Sequence, residues 1–316
     1  MKKVAYVTGC LGFIGSHLTR YLLDRGWYIT GVDKMGYASN LHCLDEFNGC
    51  SKFRFIDSDI NDLDRLSDCD WVINTAAESH VDNSIVDSDE FLRSNVNGVH
   101  HLLNLIMQKK RFTMPTLLHF STDEVYGDIE IGSHKETDLL KPSNPYSATK
   151  AAADMLVQAW ARTYNVPFII VRPTNNYGVD QYIEKLIPKS IRHLDLGRKI
   201  DIHEMGRPRR TWLHVSDTVR AVMTVIDRGA IGEIYNIGGN CELPNREVVE
   251  KILALYLGRN YTGNWVDYIV EHSRPGQDVR YSIDDSKLKL LGWSCLADFD
   301  RELALIVEHQ RNHFKW

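Results

Sequence analysis

Two clusters in this 316-residue chain carry residue types that could do acid–base chemistry. The first is Tyr146-Ser147-Ala148-Thr149-Lys150, whose spacing puts a phenol and an ammonium on one helical face, a turn apart. A free phenol titrates near ~10, too high for a base at neutral pH, and a neighbouring cation favours the phenolate. The second is Ser121-Thr122-Asp123-Glu124-Val125-Tyr126-Gly127. Two carboxyls held close disfavour double ionisation, so one can keep its proton while the other serves as a base. On spacing alone a surface tyrosine with a solvated lysine is the commoner case, and an acid pair can simply cap a turn. Position in the fold decides between these readings.

Those clusters need a scaffold, and hydrophobic periodicity supplies one. Apolar runs at 4–8, 28–33, 53–59, 71–76, 116–121 and 168–172 read as buried strands. Helical patterns lie between them, clearest at 91–109 and 146–164. Continuous apolar strands separated by helices predict a parallel sheet covered on both faces, an α/β doubly wound Rossmann fold. After Pro173 the rhythm loosens and Gly, Pro, Asn and Arg become denser, which predicts a smaller, loop-rich C-terminal lobe. A helix at 217–228 would return to the main sheet. The chain thus divides into a dinucleotide-binding domain at 1–173, with about 211–237 rejoining it, and a ligand lobe at 174–210 and 238–316. Ligands of such sheets bind beyond the carboxyl ends of the strands, where both chemical clusters fall.

Thr8-Gly9-Cys10-Leu11-Gly12-Phe13-Ile14-Gly15 joins the first strand to the first helix. Gly9, Gly12 and Gly15 there permit a tight turn, close approach to a pyrophosphate and close helix–sheet packing. Asp33 ends the next strand at the ~20-residue offset of a ribose ligand. An acid at that place selects NAD over NADP, and Lys34 beside it weakens the selection slightly. An oxidised nicotinamide would add its positive charge to that of Lys150 and make Tyr146 a usable base. Asp59-Ile60 is a further candidate contact for the adenine, although an Asp there also suits a helix cap.

Thr122-Asp123-Glu124 with the Tyr/Lys pair resembles the nucleotide-glucose 4,6-dehydratases of the extended short-chain dehydrogenase/reductase family, which act on dTDP-glucose or UDP-glucose. The likeness spans nearly the whole chain. It includes the glycine loop, Ala76-Ala77-Glu78-Ser79-His80-Val81-Asp82, Asn175-Asn176-Tyr177-Gly178, Glu184-Lys185-Leu186-Ile187-Pro188, Tyr235-Asn236-Ile237-Gly238-Gly239 and Arg274-Pro275-Gly276-Gln277-Asp278. It implies an NAD-dependent hydro-lyase that forms a 4-keto-6-deoxy nucleotide-sugar. Oxidising the C4 hydroxyl acidifies the C5 hydrogen; losing water then takes a base at C5 and an acid at the C6 oxygen, before hydride returns to C6. By resemblance Glu124 is the base, Asp123 the acid, Thr122 a partner of the C4 oxygen, and Tyr146 with Lys150 the oxidising dyad.

The same resemblance implies an NAD site from Gly9, Gly12, Phe13, Ile14, Gly15, Asp33, Lys34, Asp59, Ile60, Thr75, Ala76, Ala77, Ser79, Ser94 and Asn176, with Tyr146 and Lys150. It implies a nucleotide-sugar site from Ser79, Thr122, Asn175, Lys185, Leu186, Asp201, Ile202, His203, Arg210, Asn245, Arg274 and Gln277. Arg210 and Arg274 make physical sense there as diphosphate clamps. A homodimer through a four-helix arrangement of the 91–109 and 146–164 helices is also implied. The bacterial pattern has prolines near Val179 and Ile183 and acids near Thr211 and Ser216; these departures bear on the exact shape of the substrate loop and touch no proposed catalytic group. The stretches 80–84 and 287–293 look more like the UDP-glucose enzymes and 274–278 more like the dTDP-glucose ones; the balance leans to dTDP-glucose. A 4-epimerase or decarboxylase would keep Tyr146 and Lys150 but not need Asp123 beside Glu124. A non-catalytic NAD-binding sensor would have no use for Thr122, Asp123, Glu124, Tyr146 and Lys150 together.

Bulk properties narrow the remaining classes. A net charge of −5 gives no general attraction to nucleic acid. The tight basic runs are at 109–111, a solvated helix end, and at 207–210. Six scattered cysteines lack metal-ligand spacing and predict reduced thiols with no metal site. Glycines interrupt the apolar stretch after Met1-Lys2-Lys3, so no signal peptide is read, and no run is long enough to span a bilayer. A soluble, cytoplasmic protein is expected. His80 and His119 are read as structural or supporting residues.

Overall fold

The computed structural model describes residues 3–313. Among them twelve strands form: β1 (Val4–Thr8), β2 (Tyr28–Asp33), β3 (Phe53–Asp57), β4 (Trp71–Asn74), β5 (Thr116–Phe120), β6 (Phe168–Pro173), β7 (Asn175–Tyr177), β8 (Ile200–His203), β9 (Arg209–His214), β10 (Glu233–Ile237), β11 (Cys241–Pro244) and β12 (Ile269–His272). Seven of them make one sheet in the order β10-β6-β5-β4-β1-β2-β3, and every pairing in it is parallel. The doubly wound reading therefore holds.

Alternation along each strand explains why both faces are covered. Ile73, Leu118, Ile169 and Val171 join one buried cluster, with Leu18, Leu22, Val222 and Val225 from helices above it. Val72, Leu117, Phe168 and Ile170 point the other way, into a cluster with Leu102, Leu103, Ala153 and Val157. A period of two on a strand sends neighbours to opposite faces, and each fully buried aliphatic side chain contributes about 1.5–3 kcal/mol. The helix Val215–Arg228, which covers the first face, leads back into β10.

Two predicted boundaries move. The strands expected at 53–59 and 71–76 end at Asp57 and Asn74. Asp59 instead caps a short 3-10 turn through Asn61 N at 2.9 Å, and Thr75 turns its hydroxyl back to the Thr8 carbonyl at 2.7 Å. The helix expected at 91–109 is not continuous. A π-helical segment, Leu92–Asn97, precedes the regular helix Gly98–Met107. Asn95 accounts for it: its side chain accepts from Glu78 N and donates to Glu78 O and Thr149 Oγ1, each at 2.9 Å. These buried bonds fix that turn to the loop after β4, and widened turns of this kind often occur at functional sites.

Beyond β6 the chain has more regular structure than its composition suggests. β7, β9 and β11 form a three-stranded sheet, and β8 pairs with β12. Tyr177, Trp212, Ile252, Phe299 and Ile306 fill a separate apolar cluster behind them.

Candidate active site

The glycine loop after β1 packs backbone on backbone. Gly9 has φ +68°, and a Cβ on it would lie 2.6 Å from Ala76 N; one on Gly15 would lie 2.0 Å from the Gly9 carbonyl oxygen. Only glycine fits these two positions. At the end of β2, Asp33 accepts from Leu11 N at 3.0 Å, Met35 N at 2.9 Å and Ser39 Oγ at 2.7 Å. Burial pushes its carboxyl up, and these donors pull against that. Lys34 meets Glu78 at 3.0 Å, Glu90 at 3.7 Å and Ser94 at 3.3 Å, so acids already answer its charge. The cleft holds about 660 Å³ and is lined by Gly9, Gly12, Asp33, Lys34, Asp59, Ile60, Thr75, Ala76, Ala77 and Ser94 among others. Phe13, Ile14 and Gly15 open the helix Phe13–Asp24 beside it. Bare backbone at the loop with acids at the strand end fits a dinucleotide with a free ribose 2′-hydroxyl.

The reactive residues meet at the ends of β5 and of the helix Pro145–Tyr164. Pro145 opens that helix at a favoured position, and Asn144 with Ser147 forms a reciprocal cap. Thr122 follows β5, donates to Asp123 Oδ1 at 3.2 Å and accepts from Glu124 N at 3.3 Å. The cap residue Asn144 also donates to Glu124 Oε2 at 3.4 Å. Burial, then the Glu124 charge, pushes the Asp123 carboxyl up to about 8. Burial and then Asp278 raise Glu124, against Arg210, Asn144 and Lys185. Lys150 is 3% exposed and donates to the Phe120 carbonyl at 2.6 Å; burial lowers it to about 8. The Tyr146 phenol is pushed up, by burial first and then Glu124, while the Thr122 hydroxyl pulls it down.

A second cleft, about 1000 Å³, adjoins the acids. Glu124, Ser79, Asn175, Lys185, Leu186, Asp201, Ile202, His203, Arg210, Asn245, Arg274 and Gln277 line it. Asn176 lines it too, rather than the glycine-loop cleft, and its amide is spent on Thr174 O and the Thr218 hydroxyl. Lys185 spans to Ser79 O at 2.8 Å. Several buried polar atoms here have no partner: Asp123 Oδ2, Asn175 Oδ1, Asn245 Oδ1, Arg274 Nε, Gln277 Oε1 and Asp278 Oδ1. Buried polar groups are nearly always satisfied, so this convergence marks a place for a polar ligand.

Sequence reading missed several neighbours of these groups. Arg210 is ion-paired to Asp278 and stacks over the Tyr281 ring at 5.1 Å. Arg274 lies 3.3 Å from Asp82 and 3.5 Å from Asp278. Asp82 is held well below the usual carboxylate range by His203, then Arg274 and His80. Asp82 and Asp278 fall in the 76–82 and 274–278 motifs, which were the signals available; nothing local pointed to Tyr281. His119 is fully buried and hydrogen-bonded to Asn74 at 3.1 Å.

A parallel doubly wound sheet with a glycine-loop cleft after β1, and a Tyr/Lys pair on the helix between β5 and β6, defines the extended short-chain dehydrogenase/reductase class. Within that class, the family model described as GDP-mannose 4,6 dehydratase matches residues 6–305, and the chain belongs to that family of nucleotide-sugar 4,6-dehydratases. Among similar proteins is a dTDP-glucose 4,6-dehydratase of Haemophilus influenzae, 40% identical over 96% of this chain and 96% of that one. Another is the low-salt glycan biosynthesis protein Agl12 of Haloferax volcanii, 40% identical over 96% and 97%. The solved dTDP-glucose 4,6-dehydratase DesIV of Streptomyces venezuelae, with NAD and TYD bound, superposes with a TM-score of 0.91 at 36% identity, covering 98% of this chain and 97% of its own.

Proposed function

We propose that this protein is an NAD-dependent hydro-lyase that converts dTDP-glucose into its 4-keto-6-deoxy derivative. The observation that carries the reading is the adjacent pair of buried Asp123 and partly buried Glu124, both with raised carboxyls, beside Tyr146. A 4-epimerase needs no such pair. Bound NAD would supply the hydride acceptor for C4 and the hydride donor for C6, and its oxidised form would add positive charge that favours the phenolate. Gly9, Gly12 and Gly15 would hold its diphosphate and Asp33 its ribose.

Tyr146 takes the C4 hydroxyl proton, with the Thr122 hydroxyl bonded to the same oxygen and Lys150 supplying positive charge. Glu124 takes the C5 proton and returns a proton to C5 when hydride reaches C6. Arg210 favours ionisation of both acids, and Lys185 and the Asn144 amide add to it at Glu124. Asp123, protonated up to about pH 8, gives its proton to the C6 hydroxyl, which leaves as water. Arg210 and Arg274 meet the diphosphate, exchanging their carboxylate partners for phosphoryl oxygens. Asn175, Lys185, Leu186, Asp201, Ile202, His203, Asn245 and Gln277 enclose the rest of the nucleotide-sugar.

The similarity to dTDP-glucose enzymes supports that nucleotide, with UDP-glucose the alternative donor. Residues 1–173 with about 211–237 would serve NAD, and 174–210 with 238–316 the sugar nucleotide. A homodimer is supported by apolar side chains left exposed on and beside the paired helices: Leu92 at 47%, Met155 at 50% and Tyr164 at 47%. Six free cysteines support a reducing compartment, the cytoplasm. Among the described residues no helix is long and apolar enough to cross a membrane.

The test is to incubate the protein separately with dTDP-glucose and UDP-glucose in deuterated water. Loss of one water from the dTDP-sugar, with deuterium gained at C5, is the expected result. Unchanged substrate in both arms, or epimerisation without mass loss, would defeat the proposal; dehydration of UDP-glucose alone would reassign the nucleotide.

A further inference from the structure

We propose that Asp154 is a positioning residue of this centre, acting through Lys150: it is the buried anion that keeps the ammonium charged beneath Tyr146, while Arg172 and His119 hold its carboxylate in place. This rests on the roles just given to Tyr146 and Lys150. Asp154 stands one turn beyond Lys150 and two beyond Tyr146 on the helix Pro145–Tyr164, so the three share a face. Its side chain is 0% exposed.

Arg172 of β6 grips one carboxylate oxygen, Oδ2, with Nε and Nη2 each at 2.9 Å. The other oxygen, Oδ1, lies 3.7 Å from His119 Nε2, and the Ser121 hydroxyl also favours the ionised carboxylate. The hydrogen-bond network fixes the histidine tautomer. Thr8 Oγ1 donates to Asn74 Oδ1 at 2.6 Å, which leaves the Asn74 amide nitrogen to donate to His119 Nδ1 at 3.1 Å. The ring proton is therefore on Nε2, aimed at Asp154. Burial, then Lys150 and Arg172, holds His119 well below its usual range, so it contributes a dipole and not a charge.

The groups around Lys150 are Tyr146 and Asp154 on its own helix, His119 on β5, Asp123 and Glu124 beyond β5, and Arg172 on β6. Asp123 and Glu124 act on the phenol. Asp154 is the charge that supports the ammonium, opposing a burial effect strong enough to bring Lys150 down to about 8; burial raises Asp154 too, and Arg172, Ser121 and Lys150 act against that rise. A buried ammonium stripped of its counter-ion gives up its proton. Arg172 is itself anchored on its far side by Tyr126, whose hydroxyl it meets at 2.6 Å. Asp154 is thus held between the anchored Arg172 guanidinium and the neutral His119 ring.

The experiment follows the Lys150 Nζ resonance by NMR in lysine-labelled protein, identified by its loss in Lys150→Met, with no substrate present. In Asp154→Asn its titration should fall by at least about one unit, and kcat at pH 7.5 by about tenfold, while KM stays near its original value. Because Asp154→Asn leaves Arg172 unpaired, Asp154→Asn/Arg172→Met is measured beside it and should show a displaced titration as well. A folded single or double variant in which Lys150 titrates as in the unaltered protein overturns the proposal. If the unaltered protein dehydrates neither sugar nucleotide, the assigned reaction fails, and the Lys150 titration still decides the role of Asp154.

Discussion

Asp123 keeps its proton at a pH where most aspartates have lost theirs, because burial and a neighbouring carboxylate both oppose ionisation. Two consequences follow in opposite registers. For turnover, the acid form of Asp123 and the cation of Lys150 are both lost as pH rises through about 8, so kcat should decline on the alkaline side of that value. A pH–rate profile flat to pH 10 would contradict this. For stability, the folded carboxyl is raised, so its favourable contribution is complete below the ordinary aspartate range and disappears as pH climbs through about 8. Glu124→Gln should slow dehydration by about 10²–10⁴-fold, the usual worth of positioned acid–base help, with NAD affinity retained in a fluorescence titration. Adjacency made the acid pair readable in the sequence. Its surroundings were not readable, since Arg210, Asp278 and Asn144 arrive from three distant segments, and only the fold brings their charges and donors to Glu124.

At the scale of elements, the helix carrying Tyr146 and Lys150 begins at one residue with two tasks. Asn144 caps the helix at Ser147 N, 2.9 Å away, and reaches Glu124. Asn144→Ala should cost about 1 kcal/mol in a denaturant titration, the ordinary value of an N-cap, and should also lower kcat. A loss of stability with unchanged kcat would confine it to capping. Gly15→Ala would drive a methyl into the Gly9 carbonyl, so dinucleotide binding measured by calorimetry should collapse. The main strands were legible because parallel strands buried on both faces are apolar throughout. The break at Leu92–Asn97 was not: its apolar spacing suits a helix, and the cause is a tertiary bond set centred on Asn95. The small sheets β11-β9-β7 and β12-β8 were missed because their strands mix polar and charged residues with apolar ones, as in Asn175-Asn176 and Arg209-Arg210-Thr211, and so show no continuous apolar run.

For the whole molecule, the exposed Leu92, Met155 and Tyr164 predict self-association. Light scattering should give twice the 36.3 kDa chain mass, and Met155→Glu should shift the population toward single chains. A monomer at micromolar concentration would refute the expectation. Electrostatics at this scale has an odd feature. The chain is acidic overall, and the two cleft arginines are already matched to Asp82 and Asp278 before any ligand arrives. Such a cleft exerts little long-range pull on anions, so capture of a nucleotide must come from swapping short-range partners. Raising sodium chloride tenfold should therefore change KM by no more than about threefold. Free orthophosphate, abundant in any cell and offering none of the flanking contacts, should be a feeble competitor there.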